Sequence, residues 1–404
     1  MTLCTDYRSY VLGLSVRQIR NLVGFTSLYE FEDIIQNNNH ASLIQIKDHQ
    51  AIEASRKIYK AFKAIDKSGN LSNFLSRHYI PNQSRFHLQN DYDLFFPSFN
   101  SPFELFALKS VEGWRDRSRY AACFINEVWE RELKDCTYLL ELLKDFDHIF
   151  VGLHHSVNSV SQLTGKPCTY LPIGIDALTF CPFVRSEKVR NIDICNIGRR
   201  SDITHRALLD LAEQNDLFYY YDTVSTSGVA DAAKQTTFHV KNHQEHRLLL
   251  ANLLKHSRYF IANRAFINAP ERTGGKSEIP SRFFEGAAAG TVMMGTPPET
   301  GVFKEYFDWE DAVVHLPFDA PDIATAIADL DAQPERVAAI RRNNVINALL
   351  KHDWLHRLQV VYDTFDLPPS LAMVERSQKI SALVDQIQQQ APDVRHYSMS
   401  KAIP

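Results

Sequence analysis

"LPIGIDALTFCPFVRSEKVRNIDICNIGRR", residues 171–200, contains the joint of this 404-residue chain. It begins at a strand end and turns sharply through Pro172 and Gly174, where Asp176 can lock the turn through its own backbone. After Pro182 the composition becomes polar and charged, and a fresh apolar run starts at Ile192. A boundary here leaves two stretches of ordinary domain size, each long enough to bury a core.

Both sides of the joint alternate in the same way. Upstream, residues 26–64 read as helix, short strand at 41–46 and helix. Apolar runs then follow at 93–99, 120–125, 148–153 and 168–174, separated by helical patterns such as 131–144 and 156–163. Downstream, strands are expected at 192–197, 217–221, 258–262, 291–295 and 312–316, and helices at 203–213, 243–255, 281–289, 321–330 and 334–350. Short apolar runs alternating with helices specify parallel sheets covered on both faces. The expected fold class is α/β, with two Rossmann-like doubly wound domains facing an interdomain cleft. Their expected bounds are 1–185 and 186–365, with a C-terminal helix and tail at 366–404 packing back on the first domain. Ligands of such sheets bind beyond the carboxyl ends of the strands, so the site is expected between the domains.

The charge balance, 44 Lys and Arg against 48 Asp and Glu, provides no global field for nucleic acid or an anionic membrane. Anion binding must therefore be local, and no nucleic-acid partner is expected. Six cysteines without a CxxC pair suit reduced thiols in a cytoplasmic setting. No run approaches eighteen apolar residues, so no transmembrane segment is expected, and peripheral membrane contact stays open. A resident metal is not expected. His239, His243 and His246, beside Glu245, would share a helix face, but no cysteine supports them as a ligand set.

The chemistry concentrates after position 270. Thr273-Gly274-Gly275-Lys276 precedes "SEIPSRFFEGAAAGTVMMG", in which Pro280 and Ser281 read as a helix start. A glycine pair lets backbone amides approach an anion, and a helix N-terminus with Lys276 and Arg282 adds positive charge there. Phosphate is the natural occupant. Glu285 can accept two hydrogen bonds from a vicinal diol such as a ribose, and phosphate beside a diol describes a nucleotide. A second cationic spot is "NIGRR", where a strand ends in Gly198, Arg199 and Arg200. Candidates for a base near an acceptor follow strand ends in the first half: His154 and His155, Asn126 and Glu127, and Asn100.

These residues carry a resemblance. "PIGIDALTFCP" resembles the P-x-G-x-D-x-x-x-F-x-P signature closing the N-terminal domain of group 1 glycosyltransferases of the GT-B fold. "NIGRR" is similar to the G-R turn opening their second domain, and "SRFFEGAAAGTVMMG" to their R-x-x-E-x-x-A-x-G donor-binding helix. The segments "DWEDAVVHL" and "PERVAAIRRNNVINALLKHDWLHRLQVVYDTF" look most like the CgeB-like branch. The resemblance implies transfer of a sugar from a nucleotide-diphosphate sugar, with no tightly bound cofactor. The acceptor, whether glycan, lipid, protein or small molecule, is not indicated. It further implies that Glu285 binds the ribose, that Gly198 and Arg199 meet the diphosphate with Lys276 or Arg282, and that Gly274 and Gly275 lie under the donor. Ser277 stands where the family has its first glutamate, and Glu278 lies seven residues before Glu285. Ser201, Asp202 and His205 replace a lysine after the G-R turn, and no N-terminal glycine-rich loop is recognisable, leaving Gly13 or Gly24 for that role. An epimerase of the same fold and a non-catalytic binding module are the alternatives.

Overall fold

A computed structural model describes residues 10–37, 41–47, 54, 57–58, 61–62, 86–184, 190–215, 217–222 and 239–390. By contacts the chain divides into two units, Met1–Ile173 with Leu358–Val374, and Gly174–Arg357 with Glu375–Pro404.

The sheet of the first unit is wholly parallel, as strands joined through helical crossovers must be. Its path is β2 (Ala41–Gln45), β1 (Val11–Ser15), β4 (Tyr92–Phe95), β7 (Ser118–Ile125), β8 (His148–Val151) and β9 (Cys168–Tyr170), with β5 (Ser98–Phe99) also on β7. Two short strands, β3 (Phe86–His87) and β6 (Val111–Glu112), pair apart from it. β7 is central because its run Ala121–Ile125 is fully buried, which only a strand covered on both faces tolerates. β1, VLGLS, is buried throughout. Gly13 lies inside it opposite Leu43, and a Cβ there would come within 2.7 Å of the Leu43 Cδ1. The proposed phosphate-loop role of Gly13 is thereby corrected: it is a close-packing residue of a central strand.

Glu32, on the helix Thr26–Gln36, is buried behind β1 and accepts hydrogen bonds from the Ser15 and Ser98 hydroxyls. Burial pushes its carboxyl up to about 8, against the opposing pull of Ser15 and Arg17. An acid raised in the folded state stabilises fully below its unfolded value near 4.5, and that contribution is lost as pH rises through 8. Glu32→Gln keeps a neutral donor–acceptor pair for both serines. It is expected to flatten the loss of stability between pH 5 and 9 and to be more stable than wild type at the alkaline end, by on the order of 2 kcal/mol in urea titrations.

The second unit has a five-stranded parallel sheet in the order β11 (Tyr219–Tyr221), β10 (Ile192–Asn196), β12 (Ser257–Ile261), β13 (Val292–Gly295) and β14 (Val314–His315). Registers pair Asn196 with Tyr221 and Cys195 with Phe260, so the carboxyl ends of β10, β11 and β12 finish side by side. The helix Ser281–Ala288 crosses tightly: a Cβ on Gly286 would stand 2.7 Å from the Met293 sulfur and 2.9 Å from the Phe260 ring. Gly290, at φ 61°, ends it, its N–H bonding the Ala287 carbonyl and the Thr291 N–H that of Gly286.

The joint segment is tied down within this unit. Gly174 packs on Trp354, where a Cβ would lie 2.7 Å from the ring, and Ile175 bridges to Asp353. Asp176 caps the short helix Ala177–Phe180 through the Thr179 N–H and also pairs with Arg376. Its role therefore extends well beyond its own turn.

The histidine expectation needs correction. The helix runs His243–Lys255 and His239 precedes it, so the three histidines do not share a helix face. Among the described residues, no group of three His, Cys, Asp or Glu is placed to hold a metal. Among them too, no helix is long and apolar enough to cross a membrane.

Candidate functional site

Three carboxyl strand ends of the second sheet deliver the site. β10 supplies the turn through Gly198, Arg199 and Arg200; β11 supplies Asp222; and β12 leads into the long loop before Ser281. Gly198 is left-handed, at φ 76°, and its N–H donates to the Asp222 carboxylate at 2.6 Å. A Cβ on Gly198 would lie 1.7 Å from an Arg282 guanidinium nitrogen. Only glycine lets Arg282 lie against this turn. Gly198→Ala should therefore displace Arg282 and strain the turn together, raising KM for the donor about tenfold or more with the second unit still folded, as kinetics with circular dichroism would read.

Asp222 also binds the Arg200 guanidinium, which stacks over the Tyr221 ring. Arg200 is buried and neutralised, so it organises the turn. Arg199 and Arg282 differ. Arg199 donates to the Asn268 side-chain oxygen at 3.3 Å and lies over the Phe266 ring, 4.3 Å from its centre. Arg272 lies over the same ring at 4.7 Å. Burial works against the charge of Arg199, as do Arg272 and Arg282, with Glu271 opposing them. Burial also works against Arg282, although Glu285 and Asp222 favour its charge. Arg282 makes no hydrogen bond to any described residue. Arg199 is thus pressed by two neighbouring guanidinium groups, and both Arg199 and Arg282 keep their charge against burial on a chain of net charge −4.

Gly274 and Gly275 turn the loop at φ 62° and 77° with open space beside them. The expected amide cradle is corrected in part: the Gly275 N–H bonds the Pro270 carbonyl and the Lys276 N–H that of Thr273, so both close the loop on itself. The Lys276 side chain is exposed, and Glu278 is buried.

Glu285 is buried in an ion pair with Arg247, 2.5 Å from Arg247 Nη1 to Glu285 Oε1, each side chain 5% exposed. Arg247 in turn lies over the Phe180 ring at 4.8 Å, linking the helix Ser281–Ala288 to the "DALTF" motif. Sequence reasoning missed Arg247 because it follows Glu245 and His246 at the polar start of the helix HQEHRLLLANLLK, where an arginine reads as solvated. Removing one partner of a buried pair strands the other charge, so Arg247→Ala should cost about 3 kcal/mol in urea unfolding.

In the first unit, Glu127 follows β7 and His154 and His155 follow β8, adjacent strands with Ile125 opposite Val151. Glu127 and His154 are exposed; His155 is half-buried with its ring 5.2 Å from Trp129. Asn100 is buried, its N–H donating to Glu104 at 2.7 Å, and burial raises the Glu104 carboxyl to about 7. Glu104 went unnoticed in the sequence because "PFELFALKS" reads as an apolar segment.

Residues 220–363 match the family model described as glycosyl transferase-like. That span includes Arg247, the loop 266–276, Arg282 and Glu285, and begins after Gly198 and Arg199. No curated protein sequence matches the chain. Among solved structures, Anabaena HepE in complex with UDP-glucose is similar, with TM-score 0.52, 13% identity, and coverage of 89% of this chain and 100% of that one. An α-glucosyltransferase in complex with UDP and a 13-mer DNA gives TM-score 0.53 at 11% identity, with coverage of 89% and 100%. A UDP-forming α,α-trehalose-phosphate synthase from Burkholderia vietnamiensis gives 0.50 at 10% identity, with the same coverage. The fold is GT-B. The shared fold is that of these structures, and the matched segment is glycosyl transferase-like.

Proposed function

We propose that the chain transfers a sugar from a nucleoside diphosphate sugar, UDP-linked in the first instance, to an acceptor hydroxyl, and that it lies in the group 1, CgeB-like branch. The observation that carries this reading is the cluster of Arg199, Arg272 and Arg282 around the turns that follow β10 and β12, in which burial outweighs the nearby Glu271, Glu285 and Asp222 at Arg199 and Arg282. The UDP and UDP-glucose bound to similar structures favour UDP, and the motif resemblance favours the branch. In the transfer, the bond from the anomeric carbon to the diphosphate oxygen breaks and a bond to the acceptor oxygen forms. Negative charge grows on the leaving diphosphate, where fixed guanidinium groups lower the barrier. Gly198, Gly274 and Gly275 shape the backbone around it, and Lys276 and Glu278 border it.

Arg247 occupies Oε1 of Glu285, and Oε2, which takes no hydrogen bond from a described residue, is assigned to the ribose hydroxyls. Glu285→Gln should weaken nucleotide binding about tenfold, as losing a charged hydrogen bond does, and unchanged calorimetric affinity would remove Glu285 from the site. On the acceptor side, Glu127 and His154 are the proposed proton acceptors, with His155 behind them against Trp129. The test of the function is a panel of UDP-, GDP- and dTDP-sugars with mixed acceptors, followed for free nucleotide and glycosylated product. Nucleotide release matched by product supports transfer; a donor isomerised, or bound without turnover, overturns it.

A further inference from the structure

Phe266, in the loop between β12 and the helix Ser281–Ala288, has its backbone in the left-handed region at φ 51°. For a bulky side chain that conformation is disfavoured and persists only where the surroundings over-determine it. The ring is half-buried and lies under two guanidinium groups, Arg199 at 4.3 Å and Arg272 at 4.7 Å from its centre. Arg272 is exposed, and its charge acts against that of Arg199. Two like charges this close would otherwise tend to separate into solvent. The negative face of an aromatic ring attracts both and binds neither through a hydrogen bond, so apart from the Arg199 Nη1 donor given to Asn268 their donors stay available.

We propose that Phe266 is a positioning residue that gathers Arg199 and Arg272 beside Arg282 before the donor arrives, making Arg272 the third cation of the diphosphate subsite. Arg272 belongs to none of the motifs that carry the resemblance, so this assignment is particular to the loop geometry of this chain. It rests on the reading of the arginine cluster as a diphosphate site. A site assembled in advance spends less binding free energy on ordering flexible side chains, and so binds the same anion more tightly.

The experiment titrates inorganic pyrophosphate, UDP, GDP and dTDP calorimetrically into the wild type and into Phe266→Leu, Phe266→Gly and Phe266→Tyr, with circular dichroism on each. Phe266→Leu and Phe266→Gly should both weaken pyrophosphate and the best nucleotide about tenfold, whereas Phe266→Tyr, which keeps the ring, should bind within about twofold of wild type. The glycine variant relieves the backbone and removes the ring, so it separates the two contributions. Wild-type affinity in the leucine and glycine variants, or loss in all three, overturns the proposal. Pyrophosphate binding that depends on the ring, without any nucleotide binding, upholds it and overturns the nucleotide-sugar reading. Nucleotide binding indifferent to the ring does the reverse, and a wild type that binds none of the four overturns both.

Discussion

Arg282→Ala is expected to lower kcat about 100- to 1000-fold while leaving the protein as stable as wild type or slightly more so. Arg282 sits over the Gly198 turn where no side chain fits beneath it, and makes no hydrogen bond to a described residue. Burial works against its charge and outweighs the favouring carboxylates of Glu285 and Asp222, so the fold gains little from it. A charge kept at a net structural cost serves something that arrives later. For a leaving diphosphate, a guanidinium fixed beside the turn acts where charge develops, so its loss should fall on turnover more than on ground-state affinity. Arg282→Lys retains charge without the planar fork and should recover only part of the rate. Initial rates at saturating donor, beside urea titrations, check this. A full rate in Arg282→Ala would remove the residue from the chemistry, and a parallel collapse of stability would make it a scaffold group.

The legible and illegible parts of this molecule separate by sequence distance. β7, β8, β12 and β13 were readable because burial on both faces leaves continuous apolar runs, and the helix Ser281–Ala288 because Pro280 and Gly290 bracket it. β1 was passed over because Gly13 interrupts a five-residue run, and glycine there answers to Leu43 on the next strand. The turn at Gly198 was read as a cationic strand end, which is how it is placed. Its partner Asp222 lies 24 residues on and nothing local marks it. Arg247 meets Glu285 across 38 positions, and Arg272 meets Arg199 through a ring that periodicity cannot position. Local patterns encode which elements form; side-chain pairing between elements is decided by packing, and one sequence without its relatives carries little trace of it.

Asp353→Ala is expected to destabilise the second unit by about 3–5 kcal/mol, the largest stability effect foreseen in this chain. Asp353 is fully buried and accepts from the Ala177 N–H at 3.0 Å, the Leu355 N–H at 2.9 Å, and Arg376 Nε and Nη2 at 2.8 and 2.7 Å. Arg376 Nη2 also reaches Asp176 at 2.6 Å, 200 positions away in sequence. One carboxylate therefore holds three segments: the "PIGID" turn, the start of the helix Trp354–Thr364, and the helix Leu371–Gln389. Alanine leaves the Leu355 amide unpaired, the Ala177 amide with the Ile175 carbonyl alone, and Arg376 with Asp176 alone. Arg376→Ala should cost a similar amount by stranding Asp353, and the double variant should lose much less than the sum, because both singles break one network. Burial pushes the Asp176 carboxyl up, but Arg376 and Thr179 outweigh it and hold it below the ordinary aspartate range. A depressed folded value contributes stability above the unfolded one and loses it as pH falls through the folded one, so wild type should weaken on the acid side of pH 4. Arg376→Ala should lose part of that acid slope. Urea titrations of the four proteins between pH 3 and 7 decide it: additive losses, or an acid slope unchanged in Arg376→Ala, would mean that the three segments are held by packing around Trp354 instead.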